Sequence, residues 1–378
     1  MALNFGRPNG LTMVHLFIPK ESREGEARVA TVPETAKALH EIGLQVSIES
    51  QAGQAAGFLD SEYQAAGAQV TQNSPDAWKN ADIVLSVNPP EPEKSAMLKE
   101  GALVICFFQP ALNPDSAAAL CSSKASVFAM ERVPRTTAAQ KMDALSSQAN
   151  TAGYKAALLA ATTLGRWFPL MMTAAGTVKP AKVVVFGAGV AGLQAIATAR
   201  RLGAQVQATD IRPEVKEQVE SLGGRFIEVE AADDAEASVY AKEASEEYKK
   251  KQKAAVASAV KEANVVITTA LVPGASAPVL LSKEMVESMS PGSVVVDMAA
   301  IQGGNCSLTQ KGQTITHKGI KILGPIDLAA TVPTHASELY SRNLLQVIQH
   351  LCPEGALTID INDEITGASL AIKDGKEI

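Results

Sequence analysis

Apolar runs of strand length alternate with amphipathic stretches along most of this chain. "VHLFIPKE" reads as an opening strand, and in the following "TVPETAKALHEIG" Val32, Ala36, Leu39 and Ile42 recur at helical spacing. Pro33 suits the first turn of that helix and Gly43 its stop. "LQVSIES", "DIVLSV" and "ALVICFF" continue as strands. The alternation restarts at "KVVVFGAG" and runs through "AQVQATD", "RFIEV", "NVVITTA", "GSVVVDMA" and "GIKILG", a second unit of about six strands. Strands separated by helices predict an α/β fold with parallel sheets. An Ala-rich helical segment from Ser146 to Met172 lies between the units. A last helix in "ASELYSRNLLQVIQHL" offers Leu339, Leu344, Val347 and Leu351 for packing and is expected to return the chain to the first domain. That makes the first domain discontinuous, residues 1–143 with 335–378, around a second domain of 144–334.

Two polar stretches interrupt the pattern. "RTTAAQKMDALSSQAN", residues 135–150, concentrates an Arg, two Gln, an Asp, an Asn and four hydroxyls, yet holds no His, Cys or Glu. It is either a hydrogen-bonding loop for a ligand or an ordinary polar linker ending in a helix cap. The run from about 230 to 262 is too long for an ordinary αβ connection. A solvated charged helix explains its composition; a mobile lid anchored by Tyr240 and Tyr248 is the alternative.

Composition narrows the class. A chain of 378 residues fits two domains, and 46% hydrophobic with 20% charged residues is a globular balance. The net charge of −6 argues against nucleic acid or an anionic membrane as a direct partner. Cys106, Cys121, Cys306 and Cys352 lie far apart without a CxxC pair and read as buried small hydrophobes in a reducing compartment. The histidines show no metal-ligand spacing, so no metal is expected. "MALNFGRPNGLTM" lacks an apolar core of signal-peptide length. "AALLAATTLGRWFPLMM", broken by Arg166 and Pro169, is short against the roughly 20 residues of a membrane span. The expectation is a buried or inter-domain helix, and no direct membrane span.

The most informative motif is "VVVFGAGVAGLQAIATARRLGAQVQATD". Gly187, Gly189 and Gly192 form G-x-G-x-x-G between a hydrophobic strand and a helix, the spacing that gives a tight turn, room for a pyrophosphate and close helix–sheet packing. The helix N-terminus then offers free N–H groups to phosphate. Asp210, at the end of the second strand, can accept from both adenosine ribose hydroxyls and would repel a 2′-phosphate, so the expected cofactor is NAD(H). Both units are then Rossmann-like, with a cleft between them.

A dehydrogenase acting on a small substrate needs a group that moves a proton, and candidates are few. His15 and His40 fall in or beside the first strand and helix; His335 sits near the second domain's exit. The combination of "RTTAAQKMDALSSQANTAGYKAALLAA", the glycine fingerprint with "TDIRPEVKEQVESLGG", "YAKEASEEYKKKQ", "TTALVPG" and "GGNCSLT" closely resembles the NAD(H)-binding soluble alpha subunit of proton-translocating NAD(P) transhydrogenase. The likeness covers nearly the whole chain. Alanine dehydrogenase shares the fold and is the competing reading, since "KESREGEARVATVPE" resembles both and Arg28 matches an Arg used there on the substrate carboxylate. Where alanine dehydrogenases resemble V-K-E-P, this chain has Asn88, and where they carry a catalytic His it has Gln109. A non-catalytic NAD(H) sensor is a third reading.

The transhydrogenase resemblance implies direct hydride transfer from NADH here to NADP⁺ on a partner domain, without an acid or base in the site. It assigns Arg135, Gln140, Asp143 and Ser146 to the nicotinamide end, with Gln140, Asp143 and Arg135 positioning the ring and Gln140 reaching toward it across the cleft. It assigns Gly187, Gly189, Val190 and Gly192 to the phosphates, and Asp210, Ile211, Arg212 and Leu271 to the adenosine side. Tyr240 and Gln252 match groups that close a lid over the nucleotide. Val239 stands where the family commonly has Gly, and Pro333-Thr334-His335 where it usually reads Pro-Ser-Arg. The resemblance further implies a homodimer that binds one NADP(H) domain at a time. Its partners would be membrane-embedded transhydrogenase subunits carrying the proton channel, holding it at the cytoplasmic face of a bacterial inner membrane.

Overall fold

A computed structural model describes residues 13–228, 241–272 and 275–378, with backbone alone for 241–249. The chain divides into two compact units, residues 1–148 with 330–378, and 149–329. The first opens with β1 (His15–Ile18), β2 (Gln45–Glu49), β3 (Gln69–Thr71), β4 (Ile83–Leu85), β5 (Leu103–Cys106) and β6 (Ser126–Ala129). Between β1 and β2 the helix Pro33–Glu41 buries Ala36 and Leu39 but leaves Ile42 half-buried, and Gly43, at φ 91°, ends it. A connecting helix, Ala144–Thr163, leads into the second unit.

That helix stops nine residues short of the expected Met172. Gly165 and Pro169 break the pattern, and the chain instead forms a separate antiparallel ribbon, β7 (Met171–Thr173) and β8 (Gly176–Val178). The second unit then builds β9 (Lys182–Phe186), β10 (Gln205–Thr209), β11 (Arg225–Phe226), β12 (Val265–Thr268), β13 (Val294–Asp297), β14 (Thr314–His317) and β15 (Ile320–Leu323). Its order is β11-β10-β9-β12-β13-β15-β14, parallel except for β14. The expected six strands thus gain a seventh, β14, whose alternating half-exposed pattern suits a sheet edge. The central strands β9 and β12 are near-continuous Val and Ile, as a sheet covered on both faces requires.

The helix Pro333–Leu351 belongs to the first unit, burying Leu344, Val347 and Leu351. Leu339 is half-buried, and the fully buried neighbour is Tyr340, stacked on Phe107 with ring centroids 5.2 Å apart. Beyond it "LAIKDGKE" adds β16 (Leu370–Lys373), antiparallel to β6, and β17 (Lys376–Glu377), antiparallel to β16 at the sheet edge. The first sheet therefore runs β17-β16-β6-β5-β4-β1-β2-β3. Each sheet has a topological switch point, at β1/β4 and at β9/β12, where successive crossovers leave in opposite directions and loops at the strand C-termini can receive a ligand.

All four cysteines are free; Cys106, Cys306 and Cys352 are buried, whereas Cys121 is only half-buried. No described helix is long and apolar enough to cross a membrane.

Candidate functional site

At the β9/β12 switch point the chain leaves Phe186 through a tight turn into the helix Val190–Arg201. Its three glycines differ in what they allow. Gly187 sits at φ 92°, a region strained for any side chain, and an added Cβ would lie 2.6 Å from the Thr269 hydroxyl oxygen. Gly189 precedes the helix at φ −76°, with nothing within 4 Å of where a Cβ would stand. Gly192 packs so closely that a Cβ would fall 1.9 Å from the Gly187 carbonyl oxygen. A third close approach lies outside the fingerprint: a Cβ on Gly153 of the connecting helix would lie 2.1 Å from the Ala191 carbonyl oxygen. The turn thus leaves one open face, at Gly189, beside first-turn N–H groups that have no intrahelical partner and favour an anion.

Asp210 follows β10 on the same sheet edge. Its carboxylate accepts from the Ala188 N–H at 2.7 Å, from the Arg212 N–H at 2.9 Å, and from Arg212 Nε and Nη2 at 3.0 Å each. Burial alone would raise its pKa, but the hydrogen bonds from Arg212 and Ala188 outweigh burial and hold the carboxyl below its ordinary range. It is therefore an anion at neutral pH, tied to the glycine turn through Ala188. Four accepted bonds fill the usual acceptor capacity of a carboxylate, so any further donor reaches Asp210 only by displacing the half-exposed Arg212 side chain. Val190, Ile211 and Leu271, which follow the C-terminal ends of β9, β10 and β12, are exposed by 40, 95 and 50%. Large apolar groups gathered on one sheet edge, beside an anion-accepting helix end, make a surface suited to a nucleotide.

Gln252, expected in the lid, lies on the helix Ala241–Glu262 and donates to the Ile227 carbonyl at 2.9 Å; its Oε1 is enclosed without a partner among the described residues. It anchors that helix to the end of β11. Tyr240 and Val239 lie outside the described residues.

In the first unit, the segment after β6 carries the expected nicotinamide loop. Arg135 and Gln140 are exposed, and neither side chain makes a hydrogen bond or ion pair among the described residues. Asp143 caps the connecting helix, accepting the Ser146 N–H at 2.9 Å on Oδ1 and the Ser146 hydroxyl at 2.6 Å on Oδ2. The polar run is thus both a helix cap, at Asp143 and Ser146, and an unengaged donor–acceptor pair, at Arg135 and Gln140.

The β1/β4 switch point holds a buried polar cluster. Arg28 donates to Glu26 through Nε at 2.8 Å and Nη2 at 2.7 Å, and through Nη1 to Gln148 at 2.9 Å. Asn88 Nδ2 lies 3.0 Å from both Glu21 and Glu26. Burial lifts the Glu21 carboxyl to about 7, against the opposing hydrogen bonds from Asn88 and Val87. Glu26 is buried too, but Arg28 holds its carboxyl low. Gln109, at φ 40°, is fixed by its backbone N–H on Glu131 at 2.6 Å. His15 meets the Ser47 hydroxyl at 2.7 Å, and His335 and His40 are exposed. Glu21 and Glu131 were not singled out from sequence, since an isolated Glu gives no sign that folding will enclose it.

Two doubly wound units, one with a complete glycine turn and an ionised carboxylate closing the next strand, define a dinucleotide-binding class of protein. Residues 17–152 match the N-terminal domain, and 156–378 the C-terminal domain, of alanine dehydrogenase/PNT. The chain is 46% identical over 370 residues to the first part of the NAD(P) transhydrogenase alpha subunit of Rhodospirillum rubrum, covering 95% of this chain and 96% of that one. It is 44% identical to NAD(P) transhydrogenase subunit alpha of Haemophilus influenzae, covering 96% of this chain and 71% of that one. A transhydrogenase structure from Sinorhizobium meliloti superimposes with a TM-score of 0.89 at 44% identity, covering 96% of this chain and all of that one. An L-alanine dehydrogenase structure gives 0.81 at 27% identity, each chain covered to 97%. The chain belongs to the alanine dehydrogenase/PNT family and, within it, to the NAD(P) transhydrogenase alpha subunits.

Proposed function

We propose that this chain is the NAD(H)-binding subunit of a proton-translocating NAD(P)⁺ transhydrogenase. It binds NADH and passes hydride directly to NADP⁺ on a partner domain, while membrane-embedded partners couple the transfer to proton movement. The observation that carries the reading is the open face at Gly189 beside the ionised Asp210, in a chain whose relatives at 44–46% identity are transhydrogenase alpha subunits. The residues present fit the cofactor. Gly187, Gly189, Val190 and Gly192 would hold the phosphates; Asp210, Ile211, Arg212 and Leu271 would hold the adenosine, Asp210 excluding a 2′-phosphate by charge. Tyr240 and Gln252 are assigned to the lid at about 230–262, and Arg135, Gln140, Asp143 and Ser146 to the nicotinamide end.

Bound NADH supplies the hydride, and the chain's own contribution is orientation. Asp143 and Ser146 fix the start of a helix, which sets the base of the loop; Arg135 and Gln140 remain available to a ligand. Asn88 and Gln109, amides in place of the Lys and His of alanine dehydrogenases, cannot shuttle a proton. Transfer between two nicotinamides requires no such shuttle.

The homodimer is supported by the ribbon β7–β8. Every residue from 170 to 178 is exposed, with Leu170 at 55%, Met172 at 78% and Val178 at 44%. A lone two-stranded ribbon is marginal in water, and its open edges and apolar side chains suit a symmetric contact with a second copy. Met172→Asp is expected to convert a dimer of the purified chain to monomer in light scattering; an unchanged mass would remove the ribbon from the interface. The membrane-side location follows from the partners and is tested with them.

Hydride transfer from NADH to NADP⁺, measured after mixing the chain with a transhydrogenase NADP(H) domain, is expected to require both proteins. Turnover of alanine with NAD⁺ by the chain alone would instead favour the dehydrogenase.

A further inference from the structure

The turn after β13 holds a buried arrangement that the cofactor contacts leave unexplained. Asp297 ends that strand, fully buried, with four donors: the Thr268 hydroxyl at 2.9 Å and Ala299 N–H at 3.0 Å on Oδ1, the Cys306 N–H at 2.9 Å and Thr309 hydroxyl at 2.6 Å on Oδ2. Those bonds join the last residue of β12 to the turn carrying Asn305. Asn305 is also fully buried, and its carboxamide pairs with Ala270 as a neighbouring strand would: it accepts the Ala270 N–H at 3.0 Å and donates to the Ala270 carbonyl at 2.9 Å. A second donation, at 2.8 Å, goes to the Pro278 carbonyl. Two bonds to one residue set the orientation of its peptide groups as well as their position.

Ala270 lies between two residues at the nucleotide surface. On one side, the Thr269 hydroxyl sits beneath the glycine turn, donating to the Phe186 and Gly187 carbonyls at 3.1 and 3.2 Å, where a Gly187 Cβ would collide with it. On the other side is the half-exposed Leu271. A buried amide with all its bonds satisfied by one loop is a rigid support, and replacing its NH₂ by a carboxylate oxygen sets acceptor against acceptor.

We infer that Asn305 is a positioning residue for the dinucleotide site: through Ala270 it holds Thr269 against the glycine turn and presents Leu271 to the adenosine side, with Asp297 fixing the turn from which Asn305 reaches. This rests on the NAD(H)-binding reading above. The test is titration of NADH and of 5′-AMP into the full-length chain by fluorescence and calorimetry, below the melting temperature of each variant. Asn305→Asp and the near-isosteric Thr269→Val are each expected to weaken both ligands by about tenfold or more, the loss expected from one or two hydrogen bonds, while Thr269→Ser stays within about twofold. Hydride transfer to the partner's NADP⁺ at saturating NADH should change little, so that KM moves and kcat does not. A purely structural Asn305 would lower Tm and leave both affinities alone. If Asn305→Asp does not fold, the Thr269→Val and Thr269→Ser pair decides: equal affinity for both overturns the inference. Wild-type binding of NADH with every variant within about twofold overturns the clamp alone, whereas a wild type that binds no NADH overturns the cofactor reading and the clamp together.

Discussion

Gly189→Ala is expected to abolish NAD(H) binding and leave the fold as stable as before, whereas Gly192→Ala is expected to damage both. At Gly189 the backbone is at φ −76° and a methyl meets nothing within 4 Å, so folding gains no clash. The methyl instead fills the opening through which a pyrophosphate must approach the backbone, and a loss of affinity of about 100-fold or more is expected. At Gly192 the methyl would lie 1.9 Å from the Gly187 oxygen and 2.8 Å from its carbonyl carbon, both main-chain atoms that cannot rotate away. The helix must move off the sheet, an overpacking that costs about 1–3 kcal/mol and lowers Tm by roughly 3–10 °C for a unit of this size. Thermal melts and NADH titrations of the two variants separate the effects. A Gly189→Ala chain that binds NADH like wild type would place the phosphates elsewhere.

Gln140→Asn should slow hydride transfer by about 10- to 100-fold while changing NADH affinity less than about threefold. Gln140 is exposed and its carboxamide makes no hydrogen bond among the described residues, so shortening it breaks nothing in the fold. What changes is reach: the amide withdraws by about one bond length, and misplacement near 1 Å costs on the order of 100-fold when positioning is the main catalytic contribution. Stopped-flow transfer to a partner NADP(H) domain, beside equilibrium titration of NADH, measures both quantities. Equal losses in rate and affinity would mean that Gln140 binds the cofactor without orienting it.

The two expectations draw on different kinds of information. The glycine turn was legible because its demands are local: Gly187, Gly189 and Gly192 act within six residues of one another, and Asp210 ends the next strand. A helix cap ending the polar run was open to the same kind of reading, but that Asp143 is the cap and Ser146 its partner was seen only in the fold. The core strands were legible for a related reason, as unbroken Val and Ile runs such as "KVVVF" have no other stable place than a doubly covered sheet.

What escaped the sequence depends on partners far away in the chain. Nothing in "LAIKDGKE" shows that it will pair with β6, some 240 residues earlier. Arg28 matches a substrate-binding Arg of alanine dehydrogenases, but that it is bound by Glu26 and by Gln148, 120 residues away, shows only in the fold. Asn305 is an ordinary turn residue, and Asp297 an ordinary strand end, until the segment after β12 is laid over them. Two α/β units, the nucleotide fingerprint and the family could all be read along the chain, because periodicity, spacing and motif are properties of neighbouring residues. Which polar groups are buried, which are already occupied and which stay open to a ligand was settled in three dimensions, because burial and hydrogen-bond satisfaction exist only once distant segments have met.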